Sequence, residues 1–240
     1  MFDLTGFIEA CHGASGARHG PAQVLQLMRE AVRDPEAIKA ALPAQPPGTS
    51  FLDAPLHRSE TLTVLGVALA PGTLTVPHDH GMWAVIGIYE GREDNTFYRR
   101  AGGELEESNR RQLVAGEAML LGAEVIHAIR NPLERQTLGL HVYGGDLFSR
   151  ARSMWSPEGA EAVYDMPGFI AWNKQLARAR RAQASDDGGP TRAKLGTGVS
   201  AFLWPGIAQK TLSDRPGCSP IQGGCGSFSD PHWIWSFPSC

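Results

Sequence analysis

The sequence predicts a mainly β protein, a sandwich or small barrel with helices at both ends. Three observations carry this. From about Phe51 to Gly144, short apolar or β-branched runs alternate with glycines and charged turns. Residues 1–45 show helical spacing instead. Helical pattern returns near Pro157–Val163 and Gly168–Arg181.

In chain order, Gly20-Pro21 opens a segment in which Val24, Leu25, Leu27, Met28 and Val32 follow one helical face. Asp34-Pro35-Glu36 then supplies an N-cap with proline in the first turn, starting a short helix to Leu42. Ala44-Gln45-Pro46-Pro47-Gly48 ends the helical region. The strand candidates are Thr61–Ala70, Thr73–Val76, Trp83–Tyr89, Asn95–Arg99, Arg111–Val114, Ala118–Leu121, Val125–Ile129 and Thr137–Tyr143. Trp172, Leu176 and Ala177 form the apolar edge of the last helix. From Asp186 the chain is rich in glycine, proline and serine and lacks periodicity. The expected organisation is a helical segment at 1–48, a barrel with its C-terminal helix at 49–182, and a poorly ordered tail at 183–240.

Composition narrows the function classes. The 240 residues carry a formal net charge of −3, so no basic excess points to nucleic acid. No apolar run is long enough to span a bilayer. Met1-Phe2-Asp3-Leu4 places an acid where a signal peptide would be basic, and a cytoplasmic location is expected. Three of the four cysteines (Cys218, Cys225 and Cys240, against Cys11) lie in the tail, which is no disulfide framework. A monomer or homodimer acting on a small molecule is the expected form.

The chemistry concentrates at Pro77-His78-Asp79-His80. Alternate residues of an extended strand point the same way, so His78 and His80 aim at one point while Asp79 faces away. A third imidazole from a neighbouring strand would complete a facial set of three neutral ligands. His127 is the candidate.

These residues resemble the cupin superfamily. Gly72, His78, His80 and Gly91 match the spacing of its first motif, and Gly116, His127 and Asn131 that of its second. The resemblance implies a double-stranded β-helix, a jelly-roll-like barrel. Three slots depart: Ala84 stands where the motif has its glutamate ligand, and Gly122 and Glu124 replace a proline and a glycine. Without that carboxylate a divalent ion keeps its full charge and favours anionic ligands such as a thiolate.

Loss of the motif glutamate also marks the cysteine dioxygenase type of thiol dioxygenase. In those enzymes a strand bearing Ser-x-His-x-Tyr follows the third histidine. Gly139-Leu140-His141-Val142-Tyr143 resembles it, with glycine in the serine slot. The stretch Pro77–Tyr89, the run Gly91-Arg92-Glu93-Asp94-Asn95 and the run His141–Asp146 are similar to a bacterial group of metal-dependent double-stranded β-helix enzymes related to cysteine dioxygenase. That resemblance covers about residues 1–180. It implies iron(II) held by His78, His80 and His127, with zinc, nickel or manganese also fitting. It further implies His141 and Tyr143 as catalytic residues, and a small thiol and dioxygen as substrates. Ala84 excludes the cysteine–tyrosine crosslink of some family members. A substrate carboxylate would need a cation, for which Arg58 and Arg152 are candidates. Trp83 is a candidate pocket wall, although a strand tryptophan is more often core.

Other residues read more plainly. Arg92-Glu93-Asp94-Asn95 is a charged hairpin turn, and Asn131-Pro132 is a turn ending the His127 strand. Two other functions suit such a barrel: a zinc hydrolase or lyase, and a small-molecule-binding module without turnover.

Overall fold

Residues 1–42 and 55–187 are described by the structure, a computed structural model. The expected tail beyond Asp187 and the Ala44–Gly48 break lie outside the described residues.

Among the described residues, ten strands and four helices follow one another: α1 (Leu4–Ser15), α2 (Gly20–Ala31), α3 (Pro35–Ala41), β1 (Pro55–Arg58), β2 (Thr63–Leu69), β3 (Ala84–Glu90), β4 (Arg92–Ala101), β5 (Glu104–Val114), β6 (Glu117–Leu121), β7 (Ile126–Arg130), β8 (Thr137–Tyr143), β9 (Ser153–Trp155), β10 (Glu161–Val163) and α4 (Met166–Asp187). One antiparallel sheet runs β1-β2-β8-β3-β6 and a second runs β5-β4-β7. This is the mainly β, double-stranded β-helix architecture with flanking helices.

The five-stranded sheet is covered on both faces. Its inner strand β3, between β8 and β6, therefore reads as an unbroken apolar run, buried from Ala84 to Tyr89. Even-numbered β3 residues (Ala84, Ile86, Ile88) join the barrel interior with Leu65, Val67, Leu113, Ile129 and Tyr143. Odd-numbered ones (Val85, Tyr89) join a separate layer with Phe7 and Cys11 of α1, with Val24 and Met28 of α2, and with Val32 at its C-cap. Those last three recur every four residues, one stripe of a helix. Asp34 caps α3, its Oδ1 accepting from the Ala37 amide at 3.1 Å, as Asp34-Pro35 predicts.

The edge strand β5 is exposed over most of its length and carries charges that discourage further pairing. Its hairpin with β4 turns through Gly102 and Gly103, both at positive φ (60° and 92°), the backbone that a two-residue hairpin turn requires.

Two stretches differ from their reading. Residues 157–163 form no helix. Their last three, Glu161–Val163, form β10 against β9 in a short antiparallel hairpin, with Ala162 opposite Met154. Arg92–Asn95 is not a turn either. It starts β4, and Glu93 and Asn95 are buried.

Gly144, just after β8, carries a testable packing demand. A Cβ there would lie 2.1 Å from the Trp83 ring, and a rigid indole cannot yield cheaply. Gly144→Ala is expected to cost about 1–3 kcal/mol. Thermal melting should show a clearly lower Tm than for the wild type.

Candidate metal centre

Backbone pairing brings the histidines together. The His78 amide donates to the His127 carbonyl at 2.9 Å, and the His127 amide returns to the His78 carbonyl at 3.0 Å. Directly opposed antiparallel residues present their side chains on one face. On its other side the His78 segment pairs with β9: the Asp79 amide donates to Ser153 O and the Trp155 amide to Pro77 O. Held between two neighbours, the extended segment points His80 the same way as His78.

The ring centroids are 5.3 Å apart for His78–His80, 4.8 Å for His78–His127 and 5.1 Å for His80–His127. One nitrogen from each lies within 4.8 Å of the others, and no carboxylate joins the group among the described residues. All three rings are buried, at 3%, 5% and 2% exposure. Phe169 of α4 packs edge-on against His78, and Tyr143 against His80.

Hydrogen bonds orient two of the rings. His78 Nδ1 donates to the Val76 carbonyl at 3.1 Å. His127 Nδ1 donates to Asn95 Oδ1 at 2.9 Å. Both rings are then left with an Nε2 lone pair. His127 Nε2 and His80 Nδ1 are buried atoms without a hydrogen-bond partner. Burial also holds the rings neutral: His78 is pushed down to about 4, and His80 and His127 well below the usual 6.5. Neutral, converging, unsatisfied imidazoles fit a divalent transition metal.

Facing this cluster across the interior, β8 presents His141 and Tyr143. The two share a hydrogen bond between His141 Nδ1 and Tyr143 Oη at 3.1 Å. Burial keeps both neutral, lowering His141 to about 3 and raising the Tyr143 phenol. Ala84 pairs with Tyr143 across the sheet and is fully buried. The slot that would hold a carboxylate ligand is thus an apolar wall beside the phenol.

The remaining candidates separate. Arg58 is half exposed, makes a two-pronged pair with Asp146 (2.9 Å each) and stacks on Phe148 at 4.8 Å. That pair holds Asp146 down at about 2. Arg58 is therefore engaged at the surface. Trp83 lies in the layer beneath the N-terminal helices, not in the interior, because odd positions of this segment face outward. Arg152 stacks on Tyr164 at 3.7 Å and donates through Nη1 to the Leu147 carbonyl. Its Nε is buried without a partner, and its charge further disfavours protonated His78 and His80.

Two residues near the metal candidates escaped the sequence reading. Asn95 holds His127, and Glu93 holds Asn95, its Oε1 accepting from Asn95 Nδ2 at 2.9 Å. The alternation of 93, 95 and 97 along one strand face was the available signal. The charge of the Arg92–Asn95 run obscured it.

The buried rings predict acid sensitivity. Below about 6.5 an unfolded chain protonates histidines that the native fold keeps neutral, so the native state binds fewer protons and stability falls with pH. Glu93 opposes this. Its carboxyl is raised by burial from 4.5 to about 7, so it favours the native state as pH falls through that range. Burial raises Asp79 as well, and four depressed histidines against two raised acids leave a net loss. Melts of the metal-free protein should show Tm falling from pH 6.5 to 4.

No family model matches the chain. Among solved structures it is similar to a cupin superfamily protein from Desulfitobacterium hafniense, at 17% identity over 45% of this chain and 88% of that one, with a TM-score of 0.36. It is also similar to the DMSP lyase DddQ from Ruegeria pomeroyi, at 24% identity over 42% and 47% of the two chains, TM-score 0.34. An oxalate oxidase in complex with glycolate matches at 18% identity over 35% and 42%, TM-score 0.31. The chain spans under half the length of these two enzymes. Among the described residues, no helix is long and apolar enough to cross a membrane.

Proposed function

We propose that this protein is a mononuclear iron(II) enzyme that oxidises a small thiol to a sulfinate with dioxygen. The observation that carries the reading is the buried set of three neutral histidines, with no carboxylate, facing the hydrogen-bonded His141–Tyr143 pair.

His78, His80 and His127 would hold the ion. Iron(II), when bound, supplies redox chemistry and a full divalent charge that attracts a thiolate. The reaction balances without an added reductant: RS⁻ + O₂ gives RSO₂⁻, with sulfur losing four electrons and both oxygen atoms ending on it. The thiol proton leaves for solvent as substrate binds.

The chain's own groups orient the reactants. Tyr143, protonated because of its burial, donates a hydrogen bond to the anionic substrate or to the forming sulfinate oxygen. His141, held neutral, fixes the phenol through their shared hydrogen bond. Ala84, Met82 and Leu147 belong to the interior apolar cluster that keeps water from the reacting sulfur. Arg152, with an unused buried N–H, suits a carboxylate on the substrate.

The test loads metal-free protein with iron(II) anaerobically, then follows dioxygen uptake with small thiols that carry or lack a carboxylate. One dioxygen consumed per sulfinate formed is expected. Arg152→Gln should raise KM about 10-fold or more for carboxylate thiols and leave the others nearly unchanged. Tightly bound zinc with no thiol-dependent uptake would overturn the proposal. It would favour a zinc hydrolase or lyase, which three neutral imidazoles serve equally well.

A further inference from the structure

One buried acid in the barrel takes no part in the chemistry above. Glu93 is fully buried on β4, on the same strand face as Asn95. Its Oε1 accepts from Asn95 Nδ2 at 2.9 Å, and its Oε2 has no partner. Asn95 in turn accepts from His127 Nδ1 at 2.9 Å. The three side chains form one line from the acid to the metal candidate.

The order of donors along that line matters. A carboxamide has an accepting end and a donating end of nearly the same shape. Reversing it would turn an N–H toward His127 and move the ring proton to Nε2. That nitrogen could then offer no lone pair to an ion. A carboxyl oxygen at position 93 accepts only from the donating end. It therefore fixes the carboxamide with Oδ1 toward His127. The ionised acid has no donor and so enforces this order; the protonated acid keeps it while its proton sits on Oε2, the oxygen turned away from Asn95.

We propose that Glu93 is a positioning residue of the metal centre: acting through Asn95, it holds His127 in the Nδ1–H tautomer that presents Nε2 to the ion. The proposal rests on His127 being a metal ligand and needs neither iron nor a thiol. A stabilising role is the competing account, and the two differ in what they predict. Replacing the acid by leucine removes a buried carboxyl and leaves one buried N–H of Asn95 unpaired, a cost the fold can bear, so a positioning role shows as a loss of affinity larger than the loss of stability explains.

The experiment compares wild type, E93L, E93Q, N95L and E93L/N95L. Three quantities are read: the zinc(II) dissociation constant by competition titration, the Tm of the metal-free protein, and the His127 tautomer from long-range ¹H–¹⁵N correlation of the metal-free protein. E93L is expected to bind zinc about 10- to 100-fold more weakly, as other losses of outer hydrogen-bond partners do, while the metal-free Tm falls only modestly for the Asn95 Nδ2 left without its acceptor. Its His127 should shift partly to the Nε2–H form. E93Q keeps an accepting oxygen and should match the wild type in all three. The double variant should bind no more weakly than N95L, because Glu93 acts only through Asn95.

Unweakened zinc binding in E93L would overturn the proposal alone. So would additive losses in the double variant, or weakened binding with His127 still wholly Nδ1–H. If E93L and E93Q lose affinity only in step with Tm, the acid is structural and the proposal fails. A wild type that binds no metal would overturn the metal-centre reading and this proposal with it.

Discussion

Replacing His127 with alanine is expected to weaken divalent-metal binding by well over about 100-fold, more than the loss of an outer-shell partner costs. Among the described residues the candidate cluster consists of three imidazoles, so removing one leaves two. The fold should survive. The bonds that seat this strand against His78 are made by backbone amides and carbonyls, which alanine keeps. The local cost is a buried Asn95 Oδ1 left without its donor, about 1–3 kcal/mol. His141→Ala is the control: its ring belongs to the other sheet and contacts Tyr143, so metal affinity should hold. Titration of the metal-free variants distinguishes the two cases. His127→Ala with wild-type affinity would refute the ligand assignment.

Tyr143→Phe should lower turnover of the iron-loaded protein by about 100-fold or more while leaving metal affinity unchanged, if the proposed reaction is right. The change removes one hydroxyl from a fully buried ring and preserves its packing against His80. The lost hydrogen bond to His141 is worth about 1 kcal/mol of stability. A fall in kcat with little change in Tm would mark the hydroxyl as part of the chemistry. Unchanged kcat would leave Tyr143 a core residue.

Much of the fold was legible because its signals are local. Asp34-Pro35 announced α3, and the stripe through Val24, Met28 and Val32 announced the helix that covers the outer sheet face. The metal candidates were legible for a similar reason. His78 and His80 are two apart on an extended segment, and His127 completes a spacing pattern that a sequence can display.

What stayed hidden depends on tertiary partners. The Pro157–Val163 run looked helical, and only pairing with Ser153–Trp155 makes its last three residues a strand. Arg58 and Arg152 were equivalent as sequence. Asp146 engages the first at the surface, while the second keeps a buried N–H near the histidines. Glu93 and Asn95 looked like turn residues because charge usually means exposure. Here the barrel wall turns them inward, and only their hydrogen bonds to each other and to His127 reveal the reason.

The most direct test of the three-histidine centre is anomalous diffraction at a metal absorption edge from crystals of metal-loaded protein. The account predicts one peak per chain, with nitrogens of His78, His80 and His127 at about 2.0–2.1 Å if the ion is zinc. A peak bound elsewhere, or none under saturating metal, would contradict it.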